Sequence, residues 1–261
     1  MLAKVNGINI NYEVSGNGNK PWLMFSNSLA TDLRMWDPQV AALKDDYRIL
    51  RYDKRGHGKS EAPKGPYSFD DLIGDMVGLL DHLEIEKTHY VGLSIGGMSG
   101  QGLLLKHADR LNAVVLTNTM ALCRPEFVAA WDDRIRLAEE KGMVALVEPT
   151  MERWFTEGYR KANPPALAPV REMIAGTAAA GYAGCGRAIQ KLAYLDRLKE
   201  IDHPVLLMSG AHDAGTPPPG MELMHAEIKN SEYVMLDAAH IANIEKADEY
   251  TAHLKTFLAK H

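Results

Sequence analysis

The chain has 261 residues, 46% of them hydrophobic and 24% charged, with a formal net charge of −5. That length suits one large domain, or a core with a smaller insertion, and lets roughly three-quarters of the unfolded surface be buried without a disulfide or metal staple. The negative balance argues against nucleic acid and anionic membrane as main partners, because both repel it. Cys123 and Cys185 lack metal-type neighbours and read as free thiols of a reducing compartment. The start lacks the apolar stretch of a signal peptide, and no run approaches the roughly 18 apolar residues of a membrane span, so a soluble, cytoplasmic protein is expected.

Along the chain, Ile8 to Val14 alternates apolar and polar residues, as an edge strand exposed on one face would. Trp22 to Phe25 and Tyr47 to Tyr52 are strand-like apolar runs. Between them Asp37 can cap a helix with Pro38 at its first position, where a missing N–H costs nothing. Ser68 with Asp71 resembles a capping box, and the helix that follows puts Leu72, Met76, Leu79 and Leu83 on one stripe. Thr88 to Val91 reads as a strand, Ile95 to His107 as a helix and Leu111 to Thr117 as a buried strand. From about Met120 to Leu195 the patterns are helical, with paired prolines at Pro164 and Pro165. Alternation resumes with a strand at Val205 to Met208, a helix near Met221 to Ile228, a strand at Tyr233 to Leu236 and a last helix from Lys246. The pattern implies an α/β fold: a mostly parallel sheet with helices on both faces. Residues 1–119 and 196–261 form its core, and residues 120–195 a helical cap over the carboxyl ends of the strands, where open sheets bind ligands.

Gly92-Leu93-Ser94-Ile95-Gly96 lies between a strand and a helix. This is the context of a nucleophile on a tight turn, with Gly92, Gly96 and Gly97 making room for it, and it is the mark of the α/β-hydrolase fold. Serine needs a base and the base an orienting carboxylate, in the chain order Ser, acid, His. Asp213 follows the Val205–Met208 strand, and His240 follows the last one after two alanines. Some members of the fold carry the acid one strand earlier, but Thr117-Asn118-Thr119 offers none. His212 abuts Asp213, and adjacent residues rarely point the right way to act together. His57 reads as a turn residue. The oxyanion donors expected are the N–H of Ile95 and, in Ser26-Asn27-Ser28-Leu29, the N–H of Leu29. Gly58-Lys59-Ser60 is no phosphate loop, because its leading position is Asp53, and the glycines of 181–186 stand in the wrong order for a dinucleotide. No metal-ligand spacing is present, so neither cofactor nor metal is expected.

Beyond the fold, the chain resembles the 3-oxoadipate enol-lactonases. The likeness lies in Ser26-Asn27-Ser28-Leu29, Asp32-Leu33, Met35-Trp36, Arg51-Tyr52-Asp53, Arg55-Gly56-His57-Gly58 and Gly92-Leu93-Ser94. It continues through Arg153-Trp154-Phe155-Thr156, Asp213, Thr216-Pro217-Pro218, Ala239-His240 and Asn243-Ile244-Glu245. Ile95, where methionine is expected, with Ala30 and Gly215, departs from the pattern. The resemblance implies hydrolysis of an enol-lactone with a carboxymethyl arm, by an acyl-enzyme on Ser94. That arm calls for a cation and dry surface in the cap, for which Trp131, Arg134 and Trp154 are candidates. The plainer alternative makes the tryptophans cap core and Arg134 solvated, and Arg124, Arg153 and Arg187 stay open. A carboxylesterase for small esters would use the same triad. A cofactor-free perhydrolase and a small-molecule receptor are further alternatives, whereas a haloalkane dehalogenase needs a carboxylate where Ser94 stands.

Overall fold

The computed structural model describes residues 1–261. Eight strands form one sheet: β1 (Leu2–Val5), β2 (Ile8–Ser15), β3 (Trp22–Ser26), β4 (Arg48–Tyr52), β5 (Thr88–Leu93), β6 (Leu111–Thr117), β7 (Val205–Gly210) and β8 (Ser231–Leu236). Their spatial order is β1-β2-β4-β3-β5-β6-β7-β8, antiparallel for the first two pairs and parallel for the rest. Every residue of β5 and β7 is buried, which explains their continuous apolar runs: both faces of the sheet are covered there.

Ile8–Val14 is not the edge strand expected. β1 pairs outside it through a hairpin whose turn, Asn6-Gly7, has positive φ at both residues (47° and 80°). Asn-Gly is the pair that a two-residue hairpin turn favours, because both positions need a left-handed backbone.

The helices of the core's first half are α1 (Asp37–Leu43), α2 (Phe69–His82) and α3 (Ile95–Lys106). The expected capping box closes α2: Asp71 N–H donates to Ser68 Oγ (3.2 Å) and Ser68 N–H to Asp71 Oδ2 (2.8 Å). Asp37 does not cap α1. A 3-10 turn at Leu33–Trp36, capped by Asp32, runs straight into the helix, so Asp37 is already helical and its carboxylate pairs with Arg51.

Between β6 and β7 come five helices in succession: α4 (Pro125–Lys141), α5 (Val147–Trp154), α6 (Glu157–Ala162), α7 (Leu167–Gly176) and α8 (Ala179–Gln190). The neck of this insertion is zipped by a bridge between Leu122 and Ala193, with Cys123 N–H donating to Leu192 O (3.0 Å) and Tyr194 N–H to Ala121 O (2.7 Å). The chain ends with α9 (Pro218–Glu227), α10 (Ala242–Glu245) and α11 (Ala247–Leu258). No helix is long and apolar enough to cross a membrane.

The insertion is held down along α8. Tyr67 N–H donates to Gly184 O (3.2 Å), and Gly181 lies so close to Gly56 that a Cβ on residue 181 would stand 2.2 Å from Gly56 O. Backbone meets backbone there, so neither side can yield by turning a side chain. Gly181→Ala should therefore cost about 1–3 kcal/mol, the range for forced overpacking. Urea unfolding measures it, and an unchanged midpoint would contradict so close a seam.

Candidate active site

β5 ends at Leu93 and α3 begins at Ile95, so Ser94 alone makes the turn. Its φ of 58° and ψ of −119° are rare for a residue with a side chain and cost about 1–3 kcal/mol, a strain that persists only where the surroundings over-determine it. Here they do. Ser94 N–H donates to Thr117 O (3.0 Å), while Ser94 O accepts from Met98 N–H (2.9 Å) and Thr119 Oγ1 (2.8 Å). Gly96 lets the turn press against the loop after β3, since a Cβ there would stand 2.2 Å from Ser26 O.

Asp213 lies in the loop after β7, only 3% exposed, and collects five hydrogen bonds. Oδ1 accepts the N–H groups of Gly215 (2.8 Å) and Thr216 (3.0 Å). Oδ2 accepts from His240 Nδ1 (2.7 Å), Thr216 Oγ1 (2.6 Å) and Asn118 Nδ2 (3.1 Å). Burial pushes this carboxyl up, but His240 beside it and the bonds from His240 and Thr216 outweigh burial and hold it below its ordinary value. With Nδ1 turned to Asp213, the other ring nitrogen, Nε2, is left for the cavity that His240 and Ser94 both line. Ser94 Oγ and Nε2 are not hydrogen-bonded to each other, a contact that in such sites often closes only with substrate.

The other histidines considered lie elsewhere. His212 is half exposed and faces Asp237 (2.8 Å). His57 is buried with Nδ1 against Arg55 O (3.0 Å), and burial pushes its pKa down to about 4, so it is a neutral turn residue.

The loop Ser26-Asn27-Ser28-Leu29 is fixed by its own side chains. Asn27 donates to Tyr52 O (3.0 Å) and accepts from Trp36 Nε1 (3.0 Å). Ser26 Oγ meets Tyr52 OH (2.9 Å) and accepts from Lys54 Nζ (3.0 Å). Ala30, at φ 57°, turns the chain just after Leu29. The Leu29 N–H donates to no protein atom, and the Ile95 N–H, in the first turn of α3, is one of the donors a helix leaves free.

The cavity encloses about 560 Å³ including its open mouth, and the cap supplies Trp131, Arg134, Thr150, Arg153, Trp154 and Tyr182 to its wall. Trp154 stacks on the His240 ring (6.0 Å between centroids, 30° between planes), and Arg134 lies over Trp131 (5.1 Å). All three cap residues singled out in the sequence therefore reach the cavity. Of the arginines left open, Arg153 joins them, its Nη2 donating to Thr150 Oγ1 (3.1 Å). Arg187 is taken by Asp132, and Arg124 is not part of the wall. Burial and the neighbouring Arg134 both lower the Arg153 pKa, and neither guanidinium forms a salt bridge. Sequence reasoning missed Asn118, whose amide also donates to Ala239 O (3.2 Å) and so joins the aspartate to the histidine loop.

A sheet of this order, with a serine alone on the strand–helix turn and an aspartate–histidine pair beside it, defines the class: an α/β hydrolase. The family model of the alpha/beta hydrolase fold matches residues 21–247. The 3-oxoadipate enol-lactonase 2 of Acinetobacter baylyi is 36% identical over 92% of this chain and 90% of its own length. Enol-lactonase 1 of the same organism is 34% identical, over 96% and 93%. The crystal structure of the enol-lactonase from Burkholderia xenovorans superposes with a TM-score of 0.96 at 44% identity, covering 99% of this chain and 100% of that one. The chain belongs to the 3-oxoadipate enol-lactonase family.

Lys54, bonded to Ser26 at the start of the Ser26-Asn27-Ser28-Leu29 loop, is 1% exposed, and burial lowers its pKa to about 8 despite partial compensation from nearby acidic groups. The unfolded chain keeps this proton up to about 10, so between those values it binds more protons than the native state and stability rises with pH. A shift of this size amounts to about 3 kcal/mol, fully present as a penalty below pH 8. Urea unfolding of wild type and Lys54→Met from pH 7 to 10 should show the wild type gaining stability relative to the variant. Parallel curves would mean that the lysine titrates normally.

Proposed function

We propose that the protein hydrolyses 3-oxoadipate enol-lactone to 3-oxoadipate, through an acyl-enzyme on Ser94. The observation that carries this reading beyond ester cleavage in general is the pair of unpaired guanidinium groups, Arg134 and Arg153, facing the cavity that holds Ser94 and His240. Two half-desolvated cations without carboxylate partners suit an anionic substrate, and the lactone carries its charge on a carboxymethyl arm. Trp131 and Trp154 give the ring an apolar surface, and the Acinetobacter baylyi relatives are named for the same lactone.

In this reading Ser94 Oγ attacks the ring carbonyl while His240 Nε2 takes its proton, and Asp213 stabilises the imidazolium that forms. The oxygen of the tetrahedral intermediate faces the N–H groups of Leu29 and Ile95. The ring C–O bond then breaks to an enolate that takes a proton from His240 and settles as the ketone, which discourages reclosure. Because the leaving oxygen stays tethered, the acyl-enzyme holds the whole substrate, with its free carboxylate still able to reach the arginines. Water activated by His240 releases 3-oxoadipate. Buried free thiols at Cys123 and Cys185 suit a reducing cytoplasm.

Decay of the lactone's ultraviolet absorbance should give kcat/KM above about 10⁴ M⁻¹s⁻¹, far beyond that for p-nitrophenyl acetate. Slow lactone turnover with brisk ester cleavage would move the assignment to a carboxylesterase. Arg153→Met should raise KM for the lactone about 10- to 100-fold, the worth of one charge-assisted hydrogen bond, and leave the uncharged ester nearly unaffected. Equal losses on both substrates would remove Arg153 from carboxylate recognition.

A further inference from the structure

Glu245 closes α10, five residues past His240, with only 9% of its surface exposed. Carboxylates buried so far ordinarily pair with a cation. Glu245 has none, since the adjacent Lys246 reaches towards Asp237 instead (3.7 Å). Its oxygens are filled by donors from two separate parts of the molecule. Oε2 accepts the N–H of Ala239 (2.9 Å), the residue before His240. Oε1 accepts the N–H (3.2 Å) and the hydroxyl of Thr156, at the foot of α6 in the cap.

The residue after His240 is held from the same side. Ile241 N–H donates to Trp154 O (3.1 Å), and the Trp154 ring lies over the imidazole. Cap residues 154–156 thus grip the histidine loop on both flanks of His240, directly through Trp154 and through the Glu245 carboxylate from Thr156.

We propose that Glu245 is a positioning residue that sets the His240 imidazole relative to Ser94 by clamping the histidine loop to the cap. The inference rests on the reading of His240 as the base serving Ser94. A carboxylate is the right group for the clamp because both ends present donors. An amide with its oxygen on Ala239 N–H turns its NH₂ towards Thr156, where the hydroxyl can accept but the backbone N–H is left facing a donor, so the cap end of the clamp is weakened. Misplacing a catalytic group by about 1 Å costs on the order of a hundredfold in rate. A clamp that acts through the base therefore lowers kcat for every substrate, whereas a lost binding contact raises KM for one.

The test is steady-state kinetics of Glu245→Gln and Thr156→Val on the enol-lactone and on p-nitrophenyl acetate, with rates normalised to Ser94 sites titrated by a fluorophosphonate. Thermal midpoints and a His240→Ala control are measured alongside. Glu245→Gln should lose about 10- to 100-fold in kcat on both substrates, with KM within about threefold of wild type. Thr156→Val, which keeps its N–H, should show a smaller loss of the same pattern. A kcat per titrated site within twofold of wild type in Glu245→Gln would overturn the proposal, whatever its thermal midpoint, while a dead His240→Ala would leave the base assignment standing. Turnover surviving in His240→Ala would overturn both.

Discussion

The buried Asp213 carboxylate is the point from which the site is organised. It draws hydrogen bonds from Asn118 at the end of β6, from Gly215 and Thr216 in its own loop, and from His240 after β8. A carboxylate out of water is costly unless its lone pairs are filled, and here every donor that fills them also fixes a piece of backbone. Asn118 spans Asp213 and Ala239 O, so the Asp213 and His240 loops are set against one amide. The same strand end that carries Asn118 supplies Thr117 O and Thr119 Oγ1 to the strained Ser94 turn. The Asp213, His240 and Ser94 loops, assigned above as acid, base and nucleophile in the proposed mechanism, therefore share one scaffold, the carboxyl end of β6. Sites built on such rigid elements keep their geometry better than sites on free loops.

The cap completes what the core leaves general. A serine with a base and two N–H donors cleaves many esters, and nothing in that set selects an anion. The groups proposed to select it, Arg134 and Arg153, stand on α4 and α5 in the wall of the cavity that Ser94 lines, beside Trp131 and Trp154. Low local polarity strengthens the attraction of a carboxylate to them and equally penalises leaving them unpaired. The cap also touches the histidine loop, through Trp154 and through Thr156 and Glu245, so the cavity wall and the imidazole are not mechanically independent.

Much of this was legible in the sequence because its causes are local or topological. The Ser94 turn shows as glycines flanking a serine between an apolar run and a helix, and the fold's chain order limits where an acid and a histidine can follow. Trp131 and Arg134 are three residues apart and so share one face of α4. What escaped depends on partners far along the chain. Arg153 and Arg187 look alike in sequence, but Asp132, 55 residues from Arg187, pairs with that guanidinium, while Arg153 has no carboxylate partner and lines the cavity. Asn118 offers no carboxylate, and its amide donors act on residues 95 and 121 positions away. Asp37 lost its capping place to a 3-10 turn begun at Asp32, which the Pro38 signal does not reveal. β1 differs, since its signal is local: Asn6-Gly7 is the pair a two-residue hairpin turn favours, with positive φ at both residues.

The most direct test of this account is lactone hydrolysis by Ser94→Ala, with folding checked by circular dichroism. If Ser94 is the nucleophile and the aspartate–histidine pair serves it, the rate falls by about 10⁴-fold or more, leaving only what binding and the oxyanion donors supply. A rate within tenfold of wild type would mean that water attacks the lactone without a covalent intermediate, and the strained serine turn would need another explanation.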